Sequence, residues 1–370
     1  MHPLLLAAAL AQAAPQDARP PEFRSDVRMI RLDVSVVDGV GRPVAGLRAE
    51  DFEVREDGRV VPLVHFEAIE PERAATADAR ATEGDERDPE PTPGPPERRV
   101  LLLADLATLS HGQVLRARAS VARFLREGTR EGDWVRVANL STGRAWDGHI
   151  PEDRERLSRA AATLQRGPFL YGKGGLLDAV EERVENDPAE GPSSAETAGQ
   201  FLSIFAEATS LLDTLEALIV QLGGVSGRKA IVLVSAGFPQ WRNLQQRLER
   251  VASLARESAT AIYFVDAVGL DGTTPEPGAR LRPVFEAAWN RSGGAQELAE
   301  ATGGYASRFS ANLVPALTRI GDELRTYYVL GYAPARADDG RFRSVRVKVR
   351  GSGLAARTKK GYLAGTRPRS

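Results

Sequence analysis

The chain has 370 residues, of which 42% are hydrophobic, so it is long enough for roughly two or three domains with a sizeable core. Its 49 basic and 50 acidic side chains nearly cancel, which removes the net field that draws proteins to nucleic acids or anionic membranes. Cysteine is absent, which excludes disulfides, thiolate nucleophiles and cysteine-based metal sites.

Residues 1–14 are typical of a secretory signal peptide. An apolar run is followed by small residues at the spacing of a cleavage site near Ala13 or Ala14, although no basic residue precedes the run. We therefore expect a secreted or periplasmic protein. No later stretch reaches the roughly 18 uninterrupted apolar residues that cross a bilayer, so we expect no membrane span after the signal is removed.

The two ends of the remaining chain have the alternating pattern of half-buried β-strands. This pattern covers residues 23–70, where Asp57-Gly58 predicts a hairpin turn, and it returns at residues 326–364. Residues 71–98 are rich in proline and charge, which predicts a solvated linker. Because neither terminal segment can close a core alone, we predict that they pair into one small sandwich-like domain.

Residues 99–325 alternate buried strands with amphipathic helices. Continuous apolar runs at residues 100–105, 229–235 and 261–266 are typical of parallel strands that are covered on both faces. A further strand pair is predicted at residues 134–140 and 143–150, and helices at residues 113–127, 151–165, 175–186, 201–222, 244–258, 297–302 and 313–325. This alternation predicts an α/β fold with a doubly wound, mostly parallel, Rossmann-like sheet.

Three phrases of the sequence occur in a characteristic order. They are residues 31–38 with 50–58, residues 229–238, and residues 327–332. In these phrases the chain resembles a bacterial VWFA-related family, described mostly from acidobacteria, over residues 23–362. The resemblance implies a von Willebrand factor type A (vWA)-like fold for residues 99–325, used for adhesion to proteins or ligands.

The resemblance also implies a place for a metal ion. In vWA domains a divalent cation is held by Asp-x-Ser-x-Ser after the first strand, by a later Thr and by an Asp after the fourth strand. On this chain the first Asp is Asp105, but Ala107, Leu109 and Ala236 stand at ligand positions and Gly172–Gly175 supplies no hydroxyl. One carboxylate cannot hold Mg²⁺ against its hydration shell, so we expect a degenerate site with no metal and no cofactor.

Lys173 is a candidate substitute for the missing cation. If its loop lies where the vWA threonine loop does, its ammonium could lie near the Asp105 carboxylate. The alternative, which we prefer, is a solvated lysine on a glycine-rich loop. Residues 167–173 match the G-x-x-x-x-G-K pattern of phosphate-binding loops, but Gly174 replaces the hydroxyl that ligates Mg²⁺ and the motif follows a helix. We therefore predict no nucleotide site.

Loops at the carboxyl edge of the predicted sheet form the candidate recognition surface. The segments are residues 105–112, 169–175 and 236–242, together with a polar insertion at residues 187–200. Trp241, preceded by Phe238 and Pro239, is the candidate anchor because a buried aromatic side chain supplies much of the energy of an interface. The alternative is that Trp241 packs under its own loop.

These patterns favour an exported, non-enzymatic binding protein of the adhesion type that recognises a protein or cell-envelope component, and not nucleic acid. The four histidines are scattered and no Gly-x-Ser-x-Gly elbow occurs, so the sequence offers no catalytic residues. Two alternatives stay open. One is a hydrolase that uses Asp105 with a nearby base at the crevice of the sheet, and the other is a structural or assembly protein of the cell envelope.

Overall fold

The structure is a computed structural model, and it describes residues 29–70, 98–167, 195–225, 228–269, 281–310, 312–334, 336 and 338–365. The predicted signal peptide, the linker up to residue 97, the predicted helix at residues 175–186, the loop at residues 169–175 and Lys173 itself lie outside these described residues.

The described chain forms three sheets and six α-helices. The strands are β1 (Ile30–Val37), β2 (Phe52–Glu56), β3 (Arg59–Val61), β4 (Leu63–Ile69), β5 (Arg98–Ala104), β6 (Asp133–Asn139), β7 (Arg144–His149), β8 (Lys229–Ser235), β9 (Thr260–Asp266), β10 (Ala306–Ser307), β11 (Tyr327–Tyr332), β12 (Phe342–Val349), β13 (Ala355–Arg357) and β14 (Gly361–Leu363). The α-helices are α1 (His111–Glu127), α2 (Arg154–Ala162), α3 (Ala195–Leu222), α4 (Gln245–Glu257), α5 (Leu281–Thr302) and α6 (Val314–Glu323).

A six-stranded sheet forms the centre of the molecule, with the order β7-β6-β5-β8-β9-β10. Numbered along the chain from β5, this order is 3-2-1-4-5-6, the order of a doubly wound Rossmann-like fold. Neighbouring strands are parallel except for β7, which pairs antiparallel with β6. The sequence prediction of an α/β fold with a mostly parallel sheet is therefore confirmed.

Helices cover both faces of this sheet. One face packs against α1, α2 and α6, and the other packs against α3, α4 and α5. Successive side chains of β5 pack on opposite faces of the sheet. Leu102 belongs to the hydrophobic cluster with α1, α2 and α6, and Leu103 belongs to the cluster with α3, α4 and α5. All residues of β8 and β9 are buried, which explains why both strands are continuous apolar runs in the sequence.

The starts of α2 and α5 differ from the predicted positions for identifiable reasons. The helix predicted from Pro151 begins at Arg154, because Asp153 closes a turn by accepting a hydrogen bond from the His149 amide, at 3.0 Å, and leaves Pro151 inside that turn. The helix predicted at residues 297–302 is the end of α5, which begins at Leu281. Its Gly294 lies against the Phe238 ring, where a Cβ would approach a ring carbon to 2.6 Å, so close packing outweighs the helix-breaking tendency of glycine.

The first and last strands of the described chain form two antiparallel four-stranded sheets, which we call the terminal sheets. Their orders are β13-β1-β11-β4 and β14-β12-β2-β3. In both, a strand from the beginning of the chain pairs with one from its end, as Ile30 opposite Tyr332 and Val54 opposite Val347. The buried side chains of both terminal sheets belong to one hydrophobic cluster.

Arg228 joins the terminal sheets to the amino end of the central sheet. Its guanidinium donates to the Ser35 hydroxyl of β1 at 2.8 Å and to the main-chain carbonyl of Glu323 at 3.3 Å. The same group lies 4.3 Å from the centre of the Tyr327 ring of β11. An ion pair connects Arg357 of β13 with the Glu323 carboxylate. These contacts define the seam between the terminal sheets and the central sheet.

We expect Arg228→Met to lower the free energy of unfolding by about 3 kcal/mol or more, because it leaves the buried acceptors of the seam without a donor. The matched control is Arg247→Met, which removes an exposed ion pair with Asp213 and should cost about 1 kcal/mol or less. Urea denaturation of both variants measures the difference. Equal stabilities of the two variants would mean that Arg228 does not hold the seam.

Candidate functional site

The candidate site lies at the carboxyl ends of β5 and β8, where the winding of the sheet reverses. These strands are neighbours, and the connections after them lead to α1 on one face and to α4 on the other. A reversal of this kind opens a crevice above the strand ends, and ligands of open α/β sheets bind in such crevices. The residues at the opening are Asp105, directly after β5, and Ser235, the last residue of β8.

Asp105 is held inside the crevice by a hydroxyl of the protein. Its side chain is 6% exposed, and its Oδ2 accepts a hydrogen bond from Ser235 Oγ at 2.8 Å. The same hydroxyl oxygen accepts from the Gly237 amide at 2.9 Å. Oδ1 of Asp105 is buried and makes no hydrogen bond to the described residues. Burial raises the pKa of Asp105, and the Ser235 hydroxyl and the nearby Ala107 amide oppose part of that rise.

Glu207 of α3 is a second carboxyl group at this crevice, and no sequence pattern singled it out. Burial raises the pKa of Glu207, the charge of Asp105 raises it further, and a hydrogen bond from Ser203 at 3.3 Å opposes the rise. Glu207 was missed because the periodicity of a helix identifies its buried stripe but not the strand end that a particular side chain faces.

A third carboxylate, Asp266, ends the neighbouring strand β9 and is engaged by its own turn. It accepts hydrogen bonds from the amides of Val268 at 3.0 Å and Gly269 at 3.4 Å. Arg291 of α5 places its guanidinium 3.5 Å from both carboxylate oxygens. Burial raises the pKa of Asp266 and Arg291 opposes the rise. Asp266 therefore stabilises the β9–α5 connection.

The residues at this edge do not fit a divalent cation. Leu109 and Ala236 are both buried in the same hydrophobic cluster, so two of the positions that would carry oxygen ligands carry hydrocarbon. One oxygen of Asp105 is already engaged by Ser235. Mg²⁺ demands near-octahedral oxygen coordination, and in the described ranges no group of three or more acidic or histidine side chains could hold a metal ion.

The loops around the crevice are fixed by hydrogen bonds. Arg166 donates to the Ala107 carbonyl at 3.0 Å, which holds the loop after β5. Gln240, in the loop after β8, donates to Glu297 of α5 at 2.6 Å. In the first loop Thr108 is exposed, and in the second Gln240 and Arg242 are exposed. Together these two loops, residues 105–112 and 236–242, form a surface that we call the carboxyl rim.

The aromatic candidates of the carboxyl rim have different positions. Phe238 is 2% exposed and packs in the core against α5, which corrects the expectation that its ring is available to a partner. Trp241 is half-buried and packs against the edge of the same core, so some of its ring faces outward. The polar insertion predicted at residues 187–200 also needs correction, since α3 begins at Ala195.

Comparisons with known proteins leave the family open. The chain matches no protein-family model, and no curated protein matches it. The resemblance to VWFA-related proteins therefore depends on the sequence phrases themselves. Within the residues that the structure describes, no helix has the length and apolar character needed to cross a membrane.

Asp105→Asn tests the state of the buried carboxyl group through the pH dependence of stability. Burial raises the pKa of Asp105 above its ordinary value of 3.8, so the folded protein holds a proton that the unfolded chain releases. The stability that this bound proton contributes is complete at pH values below the ordinary pKa of an aspartic acid. It is lost as pH rises through the raised pKa of Asp105. We expect the Asn variant to gain stability relative to the wild type as pH increases over this window.

Denaturation with urea at a series of pH values from acid to neutral measures this difference. Ser235→Ala is the companion variant, because loss of the hydroxyl donor raises the Asp105 pKa further and should extend the loss of stability to higher pH. The opposite trend, in which the wild type gains on the Asn variant with increasing pH, would show that the fold stabilises Asp105 as an anion.

Proposed function

We propose that the protein is an exported, non-enzymatic binding protein of the adhesion type. Its central α/β domain would be a vWA-like domain whose carboxyl rim recognises a protein or cell-envelope component without a divalent cation. The terminal sheets would form a small sandwich-like domain that supports it. The proposal rests on a single observation: Ser235 donates a hydrogen bond to the carboxyl group of Asp105. In a metal-dependent site this carboxylate would be directed at the ion.

The strand order and the position of Asp105 support the vWA-like assignment. Asp105 follows the first strand of the 3-2-1-4-5-6 sheet, and the third strand, β7, is an antiparallel edge strand. Leu109 and Ala236, which stand at two of the positions of the vWA ligands, are buried hydrocarbon side chains of the core. A rim of this kind can bind a partner through shape, hydrogen bonds and aromatic contact, which do not require an ion.

The rigidity of the carboxyl rim supports a role in recognition. Hydrogen bonds from Arg166 and Gln240 hold both loops against the body of the fold, so little ordering entropy is lost when a partner binds. The described exposed side chains of the rim are polar, and two of them, Gln240 and Arg242, flank the half-buried Trp241 in the chain. An aromatic group within a polar surround is the usual arrangement of an interface hot spot.

The second candidate is a hydrolase, and the proximity of Glu207 to Asp105 favours it. Two carboxyl groups whose pKa values are both raised can serve as general acid and base. Against this, Ser235, the hydroxyl hydrogen-bonded to Asp105, is fully buried and closed to a substrate. We therefore prefer the binding role.

Trp241→Ala tests the proposed surface. A photo-crosslinking amino acid at Arg242 first captures the partner from the native envelope fraction, and the same probe at Arg346 of β12, remote from the rim, serves as the position control. With the captured component purified, Trp241→Ala should weaken binding by about tenfold or more. Trp146→Ala, which changes another half-buried tryptophan on the edge strand β7, should leave binding unchanged.

We also expect binding to persist after divalent cations are removed with a chelator. Equal crosslinking at positions 242 and 346, or loss of binding on chelation, would contradict the proposed function. Turnover in a broad screen of ester, peptide and glycoside substrates that both Asp105→Asn and Glu207→Gln abolish would favour the hydrolase.

A further inference from the structure

A cavity of about 220 Å³ lies at the amino end of the central sheet, on the side opposite the carboxyl rim. It is enclosed by the start of β1, the end of α4, the start of β9 and the segment between β13 and β14. Its walls include the side chains of Ile30, Ala255, Ala261 and Tyr362. The cavity thus lies where the terminal sheets meet the central α/β domain, and boundaries of this kind often contain small-molecule sites.

The charged groups of the cavity are predominantly basic. They are Arg31, Arg228, Arg256 and Lys359, against the acidic Asp33 and Glu257. Most of these charges are engaged by the protein itself. Asp33 accepts from Arg31 at 3.1 Å, Glu257 is exposed and accepts from Ser253 at 3.1 Å, and Arg228 makes the contacts of the seam.

Two cations of the cavity are not engaged in this way. Neither Arg256 nor Lys359 makes a hydrogen bond or ion pair with the described residues, and Nε of Arg256 is buried without an acceptor. The Arg256 guanidinium lies 5.3 Å from the centre of the Phe342 ring, so an aromatic face supports it from one side only. Burial lowers the pKa of Lys359 to about 8, and the Arg256 and Arg31 charges lower it in the same direction, against the opposing effect of Asp33 and Glu257.

Unpaired cations in a partly dehydrated space are costly, and an anion placed between them recovers the lost interactions. The size of the cavity admits only a small molecule, and its apolar walls favour a molecule with a hydrocarbon segment. We propose that the cavity binds a small carboxylate with an apolar body. Its carboxylate lies between Lys359 and Arg256, and its hydrocarbon segment packs against Ile30, Ala261 and Tyr362.

This site is independent of the function proposed for the carboxyl rim, because it shares no residue with it. The presence of Asp33 sets its selectivity. Asp33 pairs with Arg31, but its charge still acts in this space, since it raises the pKa of Lys359, so it repels a phosphate dianion more strongly than a monoanion.

Calorimetry with the full chain tests the proposal with phenylacetate and hexanoate as probes. The neutral analogue 2-phenylethanol and inorganic phosphate separate the roles of charge and hydrocarbon. We expect both carboxylates to bind at millimolar concentration or below, and Lys359→Met to weaken them by about tenfold or more. Lys360→Met is the matched control, because Lys360 is exposed, lies outside this cavity and pairs with Glu300 at 3.4 Å. The Lys360→Met variant should bind both carboxylates with wild-type affinity.

A second readout follows Lys359 itself. Since its lowered pKa makes the neutral amine abundant at mildly alkaline pH, Lys359 should react with acetic anhydride faster than Lys360, and phenylacetate should protect it. Lys359→Met should also raise Tm, because it removes an unpaired cation, so a loss of binding in this variant is not a loss of fold. Binding of 2-phenylethanol or phosphate as tight as that of phenylacetate would overturn the proposal. So would wild-type affinity in Lys359→Met, or no binding of either carboxylate.

Discussion

The architecture depends on the burial of one cation, the guanidinium of Arg228. A charge that is removed from water must find acceptors, and those of Arg228 come from three separate regions of the chain: the Ser35 hydroxyl of β1, the Glu323 carbonyl at the end of α6 and the Tyr263 hydroxyl of β9. The Tyr327 ring of β11 covers its face. Because these groups satisfy Arg228 only when the terminal sheets lie against the amino end of the central sheet, the buried charge favours that arrangement, together with the Arg357–Glu323 ion pair.

The two ends of the central sheet consequently differ in chemistry. At the amino end, the seam encloses a small cavity whose unpaired cations suit a carboxylate. At the carboxyl end, one oxygen of the Asp105 carboxyl group is engaged by Ser235, and hydrogen-bonded loops present polar side chains and the half-buried Trp241. The fixed loops of the carboxyl rim support our proposal that a large partner is recognised there.

Short sequence patterns were enough to predict the central sheet, because buried parallel strands are continuous apolar runs. The end of such a run marks the end of its strand, which gave the position of Asp105. Features that depend on distant residues could not be predicted. The helix α5 was underestimated because Gly293 and Gly294 favour a loop locally, while their contacts with Gln240 and Phe238 favour the helix. Arg228 and Ser35 are 193 residues apart, so no sequence period joins them.

Native-state hydrogen exchange tests most directly whether the seam joins the terminal sheets and the central α/β domain into a single cooperative body. We expect backbone amides in β1 and β11 to exchange through the same opening as those in β8 and β9, with the same free energy and the same dependence on denaturant. Exchange of β1 and β11 at a distinctly lower free energy, while β8 and β9 stay protected, would show that the two domains open independently and would contradict the central role of Arg228.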